Sequence, residues 1–147
     1  MNPRSVRIWL KRSNGQYWPS VCHFLNAPCS TLHGRSKTLY YFVFLFLVNS
    51  EARHVYVGIE TGQISYYQMS DDLNVLESIR TFNAHNNCAV LQCIYCPLRE
   101  WIFSIGSDGT LVWSDVKNGN KLGNYSLPSK PRCFQVCNNK VSNTEYF

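Results

Sequence analysis

Two cysteines separated by two residues, Cys93 and Cys96, have the spacing with which many zinc sites begin. Cys133 and Cys137 could supply the other two of the four tetrahedral ligands. The first pair, however, lies in an apolar stretch that predicts a β-strand, and residues three apart on a strand point to opposite faces. The spacing therefore favours buried core cysteines. A small zinc- or thiol-dependent protein that uses Cys93 and Cys96 stays as an alternative.

The acidic pair Asp71 and Asp72 has the residue types that general acid–base catalysis uses. Adjacent carboxylates in a loop more often face solvent than flank a substrate. The sequence has no Gly-x-Ser-x-Gly nucleophile elbow, no glycine-rich phosphate loop and no paired metal-binding histidines. We therefore predict that the protein is not an enzyme and that it uses no metal and no cofactor.

The composition indicates a folded, β-rich protein of 147 residues, with 45% apolar residues, four Trp, nine Tyr and eight Phe. The net charge of +5 comes from scattered basic residues that are dense only between Arg4 and Arg12, which is typical of a solvated surface and not of a nucleic-acid site. The chain has seven cysteines and does not begin with a signal-peptide pattern. We expect free thiols in a reducing, cytoplasmic compartment.

A short apolar stretch that ends on an aromatic residue occurs three times, at Trp9, Tyr67 and Trp113. The intervals between these aromatics are about 58 and about 46 residues, and a period near 40 to 50 residues with turns before the strands is typical of β-propeller blades. The sequence therefore predicts an all-β fold: a partial β-propeller of about two to three blades that does not close into a ring.

The turn and strand signals divide the chain into five parts. We predict the end of a first blade, an apolar insertion, a partial second blade, a complete blade and the truncated start of another. Their predicted bounds are residues 1–30, 31–48, 49–83, 84–128 and 129–147. The complete blade has four predicted strands, which are joined by Pro97-Leu98-Arg99-Glu100, Ser107-Asp108-Gly109 and Lys117-Asn118-Gly119-Asn120.

The repeats resemble those of the WD-repeat family, in which a blade carries a Gly-His dipeptide, an Asp-containing turn and a closing Trp-Asp. Ala84-His85 matches the first feature, Ser107-Asp108-Gly109 the turn, and Trp113 the closing aromatic, although Ser114 follows it and the repeat is one residue short between its Gly and its aromatic. The resemblance implies a buried hydrogen-bonded network of His85, Ser104, Asp108 and Trp113 that supports the blade. Trp9 and Tyr67 would be the closing aromatics of the flanking repeats.

A narrower resemblance points to the WD-repeat and FYVE-domain proteins. It rests on six stretches: Val6-Arg7-Ile8-Trp9-Leu10-Lys11-Arg12, Gly15-Gln16-Tyr17-Trp18-Pro19-Ser20-Val21, Gly62-Gln63-Ile64-Ser65, Ala84-His85, Glu100-Trp101-Ile102-Phe103-Ser104 and Lys121-Leu122-Gly123-Asn124-Tyr125. Such proteins combine a propeller scaffold with a zinc-binding FYVE domain that recognises phosphatidylinositol 3-phosphate on endosomes.

The FYVE half of that pattern is not matched, because only Arg53-His54 corresponds to its basic run and no Cys stands beside it. The resemblance therefore implies a protein-interaction scaffold that binds protein partners, without nucleic acid and without direct membrane binding. It would reach early endosomes only through a longer form with a FYVE domain. Open strand edges favour self-association.

The run from Thr38 to Val48 is densely apolar but shorter than the ~20 residues of a membrane span. A buried strand and an interfacial segment are both compatible with it. Residues 31–47 have no counterpart in the family, and Lys140-Val141-Ser142 is what a splice donor encodes in frame. We hypothesise that both segments are translated intron, which sequencing of full-length transcripts would decide.

Overall fold

A computed structural model describes residues 4–11, 13–35, 41–42, 45–47, 54–72, 74–129 and 131. In these residues twelve strands form three four-stranded sheets, and none of the sheets closes into a barrel. The strands are β1 Ser5–Lys11, β2 Tyr17–Phe24, β3 Cys29–Arg35, β4 Tyr41–Phe42, β5 Leu45–Leu47, β6 His54–Ile59, β7 Gln63–Met69, β8 Leu76–Asn83, β9 Val90–Cys96, β10 Trp101–Gly106, β11 Thr110–Asp115 and β12 Lys121–Ser126. The predicted all-β fold is confirmed.

The first sheet has the strand order β2-β1-β5-β4. β1 and β2 form an antiparallel hairpin with a register shift between Ile8 and Trp9, where Trp9 lies opposite Pro19. Proline has no N–H to donate to a strand ladder, so an irregular register is expected there. On its other edge β1 pairs in parallel with β5, which itself pairs antiparallel with β4. Short parts of the apolar run thus add a hairpin to the first sheet.

The second sheet has the order β3-β6-β7-β8, with antiparallel pairing throughout. Its first strand, β3, includes residues 31–35, which the sequence analysis assigned to the insertion, and the sheet has four strands where a partial blade was predicted. Pairing of β3 with β6 joins residues on either side of the apolar run. The composition of a short stretch of sequence does not reveal such a pairing. The other domain bounds stay predictions.

The third sheet contains β9 to β12 in sequence order, each paired antiparallel with the next. The turn before β11 has Gly109 at φ 77°, and the turn before β12 has Gly119 at φ 80°, a backbone region that favours glycine. Of residues 129–147, predicted as the truncated start of a further blade, only Ser129 and Pro131 lie among the described residues.

The three sheets stack face to face, with the second sheet in the middle. Alternation along β6 sends Val55, Val57 and Ile59 into a core shared with the first sheet, while Tyr56 packs into a core shared with the third. All four side chains are at most 1% exposed. Burial of apolar surface on both faces of β6 is therefore the main stabilising contribution of the middle sheet.

Arg80 of β8 links the second sheet to the third. Its Nη1 donates a hydrogen bond to the carbonyl oxygen of Asn118 (2.9 Å) and its Nη2 donates one to that of Lys117 (2.8 Å). The buried Nε–H has no acceptor in the described part of the chain. The guanidinium thus holds the β11–β12 turn through its two terminal nitrogens, a fork that a lysine ammonium cannot reproduce.

We expect Arg80→Ala to lower the free energy of unfolding by about 1–3 kcal/mol, because two charge-assisted hydrogen bonds are lost. Arg80→Lys should restore only part of the loss. Chemical denaturation measures both, and the exposed Arg99→Ala serves as the matched control. Equal stabilities of Arg80→Lys and the parent protein would contradict the bidentate role.

Candidate functional site

His85 occupies the loop between β8 and β9 and is buried, with its side chain 0% exposed. Its backbone N–H donates to the carbonyl oxygen of Gly62 (3.0 Å), which fixes this loop against the β6–β7 turn. Gly62 has φ 90°, and a Cβ there would overlap the His85 carbonyl oxygen and lie 2.6 Å from the His85 carbonyl carbon. A glycine is therefore required where the two loops meet.

The His85 imidazole is the centre of a hydrogen-bonded network. Its Nε2 lies 3.1 Å from Ser104 Oγ, and its Nδ1 lies 3.2 Å from Asp108 Oδ2 and 3.0 Å from Thr110 Oγ1. Asp108 Oδ1 accepts from the Thr110 N–H (3.0 Å) and from the Thr110 hydroxyl (2.9 Å). With the proton on Nδ1, His85 donates to the carboxylate and Ser104 donates to Nε2, so each ring nitrogen has a partner.

The electrostatics of the network favour a neutral imidazole. Desolvation lowers the pKa of His85 below its ordinary value, against the opposing attraction of the Asp108 carboxylate. Desolvation alone would raise the pKa of Asp108, but hydrogen bonds from Thr110 and the interaction with His85 outweigh it, so the pKa of Asp108 is lowered. A neutral histidine whose two nitrogens are both engaged suits support of the loop better than proton transfer.

These pKa shifts predict a loss of stability in acid. The lowered pKa of His85 contributes stability that is fully present above the ordinary value of 6.5 and is lost as the pH falls from 6.5 towards the lower pKa of the folded state. Asp108, whose pKa is also lowered, adds a further loss as the pH falls below 3.8. Thermal unfolding followed between about pH 8 and about pH 5 should therefore show a falling midpoint. His85→Ala should reduce this dependence, and an unchanged slope in that variant would contradict the assignment.

Trp113 lies on the other face of the sheet from the network. Gly62 and Gly109 are corresponding turn residues with positive φ, and the residue five positions later is Tyr67 in the second sheet but Ser114 in the third. Ser114 is 4% exposed and Tyr67 6% exposed, whereas Trp113 is half-buried. Side chains alternate along a strand, so the repeat that is one residue short turns its aromatic to the opposite face.

The structure thus brings together His85, Ser104 and Asp108 of the predicted network. The fourth member is Thr110 and not Trp113, which was predicted. An Asp-x-Thr turn, in which the Asp side chain accepts from the N–H two residues on, is the signal that could have identified Thr110. The supporting role of these residues stays a prediction.

The flanking aromatics lie in different surroundings. Tyr67 is buried, and its ring packs edge-on against His23 with ring centroids 4.8 Å apart. Trp9 is half-buried at the irregular register position opposite Pro19.

Cys93 and Cys96 are both buried in β9, and the regular register with β10 places them on opposite faces. Desolvation raises the pKa of Cys93 to about 12, so this thiol stays protonated at neutral pH and is a poor nucleophile or zinc ligand. No group of three His, Cys, Asp or Glu side chains that could hold a metal ion is found in the described residues. Cys133 and Cys137 lie outside those residues.

Asp72 is exposed and accepts hydrogen bonds from neighbouring residues of its own turn. It accepts from the Ser70 hydroxyl (2.5 Å) and from the Asn74 N–H (3.2 Å), and the bond from Ser70 is the main reason that the pKa of Asp72 is lowered. These bonds order the turn between β7 and β8. Asp71, its neighbour, is also exposed.

No helix among the described residues is long and apolar enough to cross a membrane.

The stacked four-stranded sheets and their repeated turns have the architecture of a partial β-propeller. No protein-family model matches the chain. It is 33% identical to the human WD repeat and FYVE domain-containing protein 1 over 132 residues, which are 90% of this chain and 28% of the relative. The human WD repeat and FYVE domain-containing protein 2 is 34% identical over 122 residues, 83% of this chain and 27% of the relative.

The protein 2 of Caenorhabditis elegans is 34% identical over 125 residues, 84% of this chain and 26% of that relative. Over most of its length the chain is therefore related to the WD repeat and FYVE domain-containing proteins. It spans just over a quarter of the length of the human protein 1 and of the human protein 2.

Proposed function

We propose that this chain is a non-enzymatic scaffold that binds other proteins through the faces and loops of its blades. The observation that carries the proposal is the aromatic outer face of the third sheet, formed by Trp101, Phe103 and Trp113. The ring centroids of Trp101 and Phe103 are 6.1 Å apart, and those of Phe103 and Trp113 are 6.5 Å apart. All three side chains are half-buried.

The second sheet shows what such a face is suited to pack against. Tyr56 and Tyr66 face each other across β6 and β7, as Phe103 and Trp113 do across β10 and β11. Tyr56 stacks on Tyr66 at 4.8 Å and on Tyr95 of the third sheet at 5.5 Å. The corresponding face of the third sheet has the same pattern of aromatics, so it is suited to pack against an apolar surface of a partner protein.

Partner-binding faces are enriched in Trp, Tyr and Phe, which supports a scaffold role for the same surface. The relatives are named for WD repeats together with a FYVE domain. In a longer form with a FYVE domain, the scaffold would serve as an endosomal adaptor directed by a phosphoinositide. The chain itself would act in the cytoplasm.

Proximity labelling with a biotin ligase fused to the full chain tests the proposal. The parent chain should label a reproducible set of proteins, Trp101→Ser should lose part of that set, and Leu98→Ser should retain it. Leu98 is the matched control because it is 76% exposed in the β9–β10 turn and is not one of the three residues that form the aromatic face. Labelling no different from that of the unfused ligase would reject the scaffold.

Self-association follows from the same architecture. Strands β2, β8 and β12 each pair on one edge only among the described residues, and unpaired edges recruit further strands. Sedimentation velocity should show a mass that increases with protein concentration. A monodisperse monomer with a sharp, reversible unfolding transition would contradict this expectation.

A further inference from the structure

A polar cleft opens where three loops meet at one end of the stacked sheets. Asn26 comes from the β2–β3 loop, Thr61 from the β6–β7 turn, and Asn86 and Asn87 from the β8–β9 loop. The cleft has a volume of about 440 Å³, within the range of roughly 300–1,000 Å³ that is usual for ligand clefts. Segments distant in sequence thus build one concave surface.

The chemistry of the cleft is neutral and rich in amides. Among the described residues, five of those that line it are Asn or Gln, and none is Asp, Glu, Lys or Arg. Gln63 Nε2 donates to Asn83 Oδ1 (3.0 Å), so these two amides engage each other. Asn26, Asn86 and Asn87 are exposed, and within the described part of the chain no hydrogen bond engages their side-chain amides. Their donors and acceptors are available to a ligand.

The frame of the cleft is fixed before any ligand arrives. His85 lies beside Asn86 and Asn87 and is held by its network and by its bond to Gly62. Asn87 itself has φ 50°, in the left-handed region that asparagine tolerates better than most residues. The backbone of this loop is therefore held in place, so binding does not have to order it, which favours recognition.

We propose that this cleft binds an extended, uncharged stretch of polypeptide through its main-chain amides, an inference that rests on the proposed scaffold function. A peptide group has one N–H donor and one carbonyl acceptor, and an Asn side chain has an NH2 group with two donors and one carbonyl acceptor. Each can therefore both donate a hydrogen bond to the other and accept one from it. A charged ligand would lose hydration without meeting an opposite charge. None of the described residues that line the cleft is a Trp, Tyr or Phe that could stack on a sugar ring, so a peptide suits it better than a carbohydrate.

The test uses the full chain and an end-blocked peptide of Ser, Gln and Gly, followed by NMR of the Asn side-chain amide signals. Signals of Asn26, Asn86 and Asn87 should shift on titration, while those of Asn124, an exposed residue of β12, should not. The variant with Asn26→Ala, Asn86→Ala and Asn87→Gly should bind about tenfold or more weakly, because several hydrogen bonds are lost. Glycine preserves the left-handed backbone at position 87, and Asn124→Ala is the matched control.

A second peptide with ester links in place of alternate amides should also bind more weakly, since esters lack the N–H donors. Unshifted cleft signals, equal binding of the ester peptide, or equal shifts with maltotriose would each overturn the proposal. Proximity labelling of the triple variant separates the two ideas. If it retains all partners of the parent chain, the cleft proposal fails while the scaffold stands; if the parent labels nothing, the scaffold itself fails.

Discussion

His85→Ala is expected to lower the free energy of unfolding by about 3 kcal/mol or more, since it removes the partner of three side chains at once. Ser104 is 1% exposed and would keep a buried hydroxyl without its acceptor at Nε2. Asp108 and Thr110 would lose their contacts with Nδ1. Chemical denaturation of the parent and variant proteins measures the difference.

His23→Ala is the matched control, because His23 is half-buried and its recorded partner is the ring of Tyr67. Its loss should cost less than about 1.5 kcal/mol. The double variant His85→Ala with Ser104→Ala should be less destabilised than the sum of the single changes, as neighbours in one network are coupled. Additive costs, or a His85→Ala cost no larger than that of His23→Ala, would show that the network contributes little.

Gly62→Ala is expected to have the second large effect, a loss of about 2–5 kcal/mol in the free energy of unfolding. The added Cβ would overlap a backbone carbonyl, which cannot move aside as a side chain can, and the loop that carries His85 would have to shift. The hydrogen bond from the His85 N–H to the Gly62 carbonyl would then weaken as well.

Gly15 provides a closely matched control. Its φ of 84° resembles the 90° of Gly62, but nothing lies within 4 Å of a Cβ built there. Gly15→Ala therefore reports the backbone cost alone, about 1–2 kcal/mol. Denaturation curves of the two variants, compared side by side, give the cost of the loop contact, and equal losses would disprove it.

Trp113 belongs to the predicted repeat, but its side chain lies on the face of the sheet opposite to the one predicted. The spacing from Gly109 to Trp113 is one residue shorter than that from Gly62 to Tyr67, and the shortfall was visible in the sequence. Its consequence follows from the pleat of the strand, because one position exchanges the two faces. Ser114 therefore takes the buried position, and Trp113 joins the outer aromatic face.

β3 illustrates a different limit. Five of its seven residues, 31–35, belong to the predicted apolar insertion, and only the pairing with β6 shows that β3 completes the second sheet. Strand pairing across such a distance depends on burial summed over the sheet, which a local window does not contain. The amide cleft could not be predicted from the sequence for the same reason, because residues from three separate loops form it.

The sequence by itself determined the β class and the turns, since strand alternation and turn chemistry depend on short stretches of chain. The predicted network of His85, Ser104 and Asp108 came from the resemblance to a known repeat family. Only the tertiary structure decided that β3 belongs to the second sheet and that Asn26, Thr61 and Asn86 share one cleft. Those outcomes depend on register and on the stacking of sheets, which are settled by the burial of residues far apart in the chain.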